Sequence, residues 1–157
     1  MACKRSAATI LHDMRKFFER FRIDKLEHRA GSHGIPSPLS KLAIGTYRGP
    51  RVVRSGLTVT SPVFALCGLP AGCGLADLWV RVYCIDAFDG IVHRAPDACF
   101  DFYIDDLTVS AEAESDEAVL RIIMPATAIL IDAVIHDIDS EIDFEFVELL
   151  MAKRAAR

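Results

Sequence analysis

The chain has 157 residues, of which 52% are hydrophobic and 25% charged, and its formal net charge is −4. A chain this long and this apolar buries a core, which excludes wholesale disorder. No apolar run reaches the roughly 18–20 residues of a membrane span, and no apolar block with a cleavage site follows the basic N-terminus, so neither a membrane protein nor a secretory leader is expected.

Ala7-Ala8-Thr9-Ile10-Leu11 predicts a buried strand running into His12-Asp13. From Met14 to about Leu26, the residues Met14, Phe17, Phe18, Phe21 and Leu26 fall at helical spacing with a basic face between them. Gly31 to Pro36 predicts a loop, and Ser37-Pro38 an N-cap with proline in the first turn of a helix to about Tyr47. Arg51–Arg54 and Leu57–Thr60 predict a hairpin around Ser55-Gly56. The glycine-rich loop Gly68 to Gly74 precedes a helix expected over about Leu75 to Ala87, with Trp79 in the core. Ala98–Ile104 and Leu107–Ala111 flank Asp105-Asp106 as strand, turn and strand. Glu114 to His136 predicts a helix that Pro125 kinks or splits. Ile138 to Arg157 suits a last amphipathic helix. The five cysteines (Cys3, Cys67, Cys73, Cys84, Cys99) form no C-x-x-C pair, which points to reduced thiols in an intracellular protein, packed as small apolar core residues. His93 and His136 pair with no cysteine at ligand spacing, so no zinc site is expected.

Charge is unevenly distributed. Residues 1–54 carry 12 Lys/Arg against 4 Asp/Glu, a surplus of +8, whereas residues 55–157 carry −12. A basic stretch of this kind attracts phosphates, and converging carboxylates hold hard divalent cations. Asp105-Asp106 is the pair that needs explaining. Two adjacent carboxylates between apolar strand arms repel and are partly desolvated, which is costly unless a cation binds. Asp13, at the end of another apolar strand, would join them if the two strands pair. His12 beside it is expected to be partly exposed. A plain polar turn would equally explain Asp105-Asp106 taken alone.

The order of these segments resembles the palm domain of reverse transcriptases of the retroelement type (non-LTR and group II intron). Asp13-Met14-Arg15-Lys16-Phe17-Phe18 resembles motif A, Gly68-Leu69-Pro70-Ala71-Gly72 motif B, and Tyr103-Ile104-Asp105-Asp106 motif C. Ala71 follows Asp13 by 58 residues and Asp105 follows Ala71 by 34. The resemblance implies an α+β fold, a small antiparallel sheet with helices packed on one face (ferredoxin- or RRM-like), fingers and thumb largely absent. It implies one partial palm over 1–157, with motif A at 9–19, motif B at 67–76, motif C at 102–109 and a helical tail over 114–157. Asp13, Asp105 and Asp106 would be catalytic and hold two Mg²⁺, with Mn²⁺ as a substitute. Met14, Phe18, Leu69, Pro70, Ala71 and Gly72 would bind the nucleotide, the Met14 carbonyl as a further metal ligand and Phe18 excluding a ribose 2′-hydroxyl. Arg15, Lys16, Lys41, Arg48, Arg51 and Arg54 would contact nucleic acid.

The implied activity is RNA-directed DNA polymerisation: nucleotidyl transfer from a dNTP to a primer 3′-hydroxyl on an RNA or DNA template, by a two-metal mechanism and away from any membrane. Ala71 stands where the family usually has glutamine, and the chain starts only a few residues before motif A, so little activity is expected from this chain alone. The alternatives are a catalytically dead relic that binds nucleic acid, or an α+β domain that binds a protein partner.

Overall fold

The computed structural model describes residues 4–70, 73–143 and 148–155. In chain order its elements are β1 (Lys4–Arg15), α1 (Phe17–Arg20), α2 (Ile23–Ser32), α3 (Ser37–Arg48), β2 (Pro50–Arg51), β3 (Arg54–Ser55), β4 (Thr58–Val59), β5 (Val63–Phe64), α4 (Ala76–Arg94), β6 (Cys99–Tyr103), β7 (Asp106–Ala113), α5 (Asp116–His136), β8 (Glu141–Ile142) and β9 (Glu148–Ala155). They fall into two compact units, residues 1–17 with 84–157, and residues 18–83.

The first unit is α+β. Its sheet is antiparallel in the order β6-β7-β1-β8, with β9 also on β1. Side chains alternate along a strand, and the register shows which ones share a face. Ala8, Ile10 and His12 lie opposite Ala111, Val109 and Leu107, and all six are buried. Thr9, Leu11 and Asp13 lie opposite Ser110, Thr108 and Asp106 on the other face, which is half-buried to exposed. Helix α5 covers the first face with Val119, Ile123, Ala126, Leu130, Ala133 and Val134. Ser115 caps it by accepting from the Ala118 amide at 3.2 Å, and the Ser6 hydroxyl donates to Asp116 in its first turn. The last turns of α4 cover β6, where Phe88 stacks on Phe102 at 3.8 Å between ring centroids.

The second unit packs Phe21, Ile23, Leu26, Ala43, Ile44, Tyr47, Leu69, Trp79 and Tyr83 into a core between α2, α3 and the first half of α4. Trp79 is fully buried, as its spacing predicts. The β3–β4 hairpin turns through Gly56 at φ +60°, and β2 pairs with β5 around it.

Several expectations are corrected. The segment after Met14 is not one helix: β1 continues two residues past Asp13, Lys16 takes φ +52°, and two short helices follow. Between them the Phe21 carbonyl accepts from the Gly68 amide at 2.8 Å and Arg22 bridges to Cys67, which takes this backbone out of helix. The N-cap of α3 is Pro36 rather than Ser37. Helix α4 runs past Ala87 to Arg94. Helix α5 is unbroken through Pro125. The expected tail helix is instead β8 and β9, because β1 offers both edges to pairing and β9 takes the second along Lys4–Leu11. Helix α5 is also long and apolar enough to cross a membrane by length and composition, with a mean hydropathy of 2.1, where the sequence suggested no such segment. Its inner stripe is the core of the first unit. Of the described cysteines only Cys84 is buried, and Cys67 and Cys99 are exposed.

Leu107→Ala should cost about 2–5 kcal/mol in urea unfolding, and Thr108→Ala, on the opposite face, less than about 1 kcal/mol. Equal losses would mean that the two faces are wrongly assigned.

Candidate active site

Strand pairing places the acidic residues. Asp13 lies directly opposite Asp106 in the β1–β7 ladder, on the face not covered by helices. The amide of Met14 donates to the carbonyl of Asp105 at 3.0 Å, so the β6–β7 turn is clamped to the end of β1. Three carboxylates from two distant segments thereby gather at one end of the sheet. A fourth, Asp143, joins them: its amide donates to the Asp13 carbonyl at 2.8 Å, just past β8. Asp143 carries no motif in the sequence, and the helix expected there hides it. Its only sequence signal would be the short alternation that makes Glu141–Ile142 a strand.

The turn itself is constrained. Tyr103 pairs with Asp106, leaving Ile104 and Asp105 as a two-residue connection. Ile104 has φ +60°, a conformation a β-branched residue rarely adopts and one usually left to glycine. Non-glycine residues held there cluster at functional sites.

The electrostatics follow from this crowding. Burial and then the negative charges of Asp105, Asp106 and Asp143 push the Asp13 carboxyl above its ordinary value. As the side chains stand, no three or more His, Cys, Asp or Glu among the described residues close into a ligand set. Met14 turns its side chain into the core at 2% exposure while its backbone remains in the ladder. His12 is buried at 3% exposure, not partly exposed: strand parity sends it inward opposite Leu107. Neither of its ring nitrogens has a hydrogen-bond partner among the described residues, and burial lowers its pKa.

In the second unit, the predicted nucleotide residues Phe18 and Leu69 meet through the backbone, the Leu69 amide donating to the Phe18 carbonyl at 2.8 Å. Gly68 makes this approach possible. It holds φ +90°, and a Cβ there would sit 3.2 Å from the Phe18 carbonyl oxygen. Pro70 is half-buried, and Ala71 and Gly72 lie outside the described residues. Lys41 is exposed on α3. Arg48 pairs with Glu27 at 3.5 Å, Arg51 donates to the carbonyls of Tyr47 and Gly68, and Arg54 donates to the carbonyl of Gly56. Arg15, opposite Glu141, and Lys16 are exposed in the first unit.

An antiparallel sheet with helices on one face and acidic strand ends on the other defines the fold class. No known protein family matches the chain, and no curated protein does. Among solved structures it is similar to apo telomerase from Candida tropicalis truncated from its C-terminal domain, with a TM-score of 0.58 at 9% identity. That likeness covers 97% of this chain and 32% of that one, so this chain spans about a third of its length. At this identity the likeness is one of fold.

Two stability effects follow. Asp13 has a raised folded pKa, so the folded state binds the extra proton, and its charge opposes folding above that pKa. Asp13→Asn should therefore stabilise the protein at neutral pH by about 0.2–1 kcal/mol, the scale of a cross-strand pair. The gain should fade as pH falls through the carboxylate range, and a loss of stability at neutral pH would refute the repulsion. For His12 the sign is opposite. Its folded pKa is lowered from 6.5, so the unfolded state takes up the proton and stability falls as pH drops below that value. His12→Leu should remove this acid sensitivity and add about 1 kcal/mol at neutral pH, read from chemical denaturation at several pH values.

Proposed function

We propose that this chain is a reverse-transcriptase-like palm whose acidic strand ends support nucleotidyl transfer to a primer 3′-hydroxyl. The observation that carries the reading is the cross-strand pairing of Asp13 with Asp106, together with the Met14–Asp105 clamp. It joins, in one sheet, the two segments that resemble motifs A and C. The likeness of fold to a telomerase structure supports the same reading.

The donor chemistry fits a hard divalent cation. Carboxylate oxygens from Asp13, Asp105 and Asp106 are the ligands Mg²⁺ and Mn²⁺ prefer, and the mutual repulsion that raises Asp13 is what a cation relieves. Bound ions there would supply Lewis-acid activation of the hydroxyl and charge stabilisation on the triphosphate. Asp13 and Asp105 would be the principal ligands and Asp106 the supporting one. Phe18 would contact the sugar of the incoming dNTP, and the loop through Leu69 and Pro70 would bring backbone close to its base. The basic residues Arg15, Lys16, Lys41, Arg48, Arg51 and Arg54 would neutralise template and primer phosphates. Catalysis in this arrangement is positioning and charge stabilisation.

A second reading is nucleic-acid binding without chemistry. Residues 28–76 hold five Lys/Arg and no Asp or Glu, which favours a polyanion whether or not the carboxylates act.

Titration calorimetry with Mn²⁺ should show binding that is lost in Asp13→Ala and in Asp105→Ala. Heats unchanged by either substitution would overturn the catalytic reading. Duplex binding that weakens with salt and persists in Asp13→Ala, with no metal site, would establish the second. Primer extension by this chain alone should be weak and abolished by Asp105→Ala.

A further inference from the structure

The hairpin region of the second unit has little of its own to pack on. Every residue from Pro50 to Phe64 is exposed, and each of its four strands is two residues long. Hydrogen bonds set its shape: the Thr60 amide donates to the Val53 carbonyl, and the Val53 amide to the Thr60 hydroxyl, both at 3.0 Å. A ribbon this short is marginal in water unless something packs against it. Its side chains are nevertheless apolar. Val53, Leu57, Val59, Val63, Phe64 and Leu66 all stand in solvent, Leu57 in the turn at 99% exposure. Apolar residues exposed together in so short a segment mark a contact surface. Arg51 and Arg54 are interleaved with them, and residues 28–76 hold no Asp or Glu. The matching surface must be acidic and apolar at once. A nucleic acid would neutralise the arginines but leave the aliphatic side chains in water.

The chain carries such a surface itself. The second unit has 9 Lys/Arg against 4 Asp/Glu, whereas the first has 9 against 18. On the sheet face that helices leave open, Asp13 and Asp106 lie side by side, and Asp101 and Tyr103 of β6 share that face opposite Thr108 and Asp106. Leu11 and Tyr103 are exposed there, Tyr103 at 72%. We propose that copies of this chain associate head to tail, the basic, apolar hairpin of one copy seated on the open acidic sheet face of the next. The two surfaces differ, so the contact is heterologous and does not close on a two-fold axis. It uses charge and apolar contact alone, without metal or nucleotide, and so stands or falls apart from the polymerase reading.

The test is sedimentation velocity of the full reduced chain, free of divalent ions, at rising concentration. The average mass should climb with concentration, and less steeply at high salt, which screens exposed charges. Leu57→Asp, in the exposed turn, and Asp101→Lys, at an exposed position of β6, should each weaken association by about tenfold or more. Mixed in equal amounts, the two variants should form a heterodimer, because the first keeps an intact sheet face and the second an intact hairpin. A monomeric unsubstituted chain overturns the proposal. So does association that either substitution leaves unchanged, or a mixture that stays monomeric. A monomeric chain whose binding of a single-stranded oligonucleotide is abolished by Leu57→Asp would give the hairpin to nucleic acid instead.

Discussion

The pairing of β1 along both of its edges is the constraint on which the first unit depends. With β7 on one side and β9 and β8 on the other, no residue of this strand can slip by one position without exchanging its two faces. Ala8, Ile10 and Met14 must then enter the core, and Asp13 must leave it. The same parity that buries His12 brings Asp13 opposite Asp106. Core and acidic site are thus two outcomes of one register.

That register explains which features could be read from the sequence. The strand–turn–strand around Asp105 was legible because short apolar arms flank it, although the turn falls at Ile104-Asp105, one residue earlier than expected, and Asp106 already belongs to β7. The α+β class came with the resemblance of the segment order to a palm domain. His12 was expected to be partly exposed because the strand was expected to end at Leu11; β1 runs on to Arg15, and alternation through Ala8, Ile10, His12 and Met14 buries it. The tail was not legible. Leu149, Leu150, Met151 and Ala152 form a short apolar run that suits helix or strand equally, and only the open edge of β1 decides between them. Asp143 stayed hidden for the same reason. Beyond Met14, aromatic spacing suggested one helix, while hydrogen bonds from Gly68 and Leu69, some fifty residues away, impose the break.

Two positions with positive φ frame the predicted motifs and differ in kind. At Gly68 the conformation suits the residue, and the missing Cβ lets two backbones touch. At Ile104 it does not, so the strain of that turn has to be offset by its surroundings, including the Met14–Asp105 bond. A site whose carboxylates repel and whose turn is strained is held by the sheet rather than by itself.

The first unit is also discontinuous, its opening strand separated from the rest of its sheet by an entire second unit. During synthesis β1 emerges early, yet its partners β7 and β9 lie roughly a hundred or more residues downstream. Closing such long loops carries a large entropic cost and slows folding. Residues 18–83 close shorter loops, the bonds from Gly68 and Leu69 to Phe21 and Phe18 spanning about fifty residues. An order of assembly is thereby written into the topology, with a nascent apolar strand left needing shelter until the polypeptide behind it arrives.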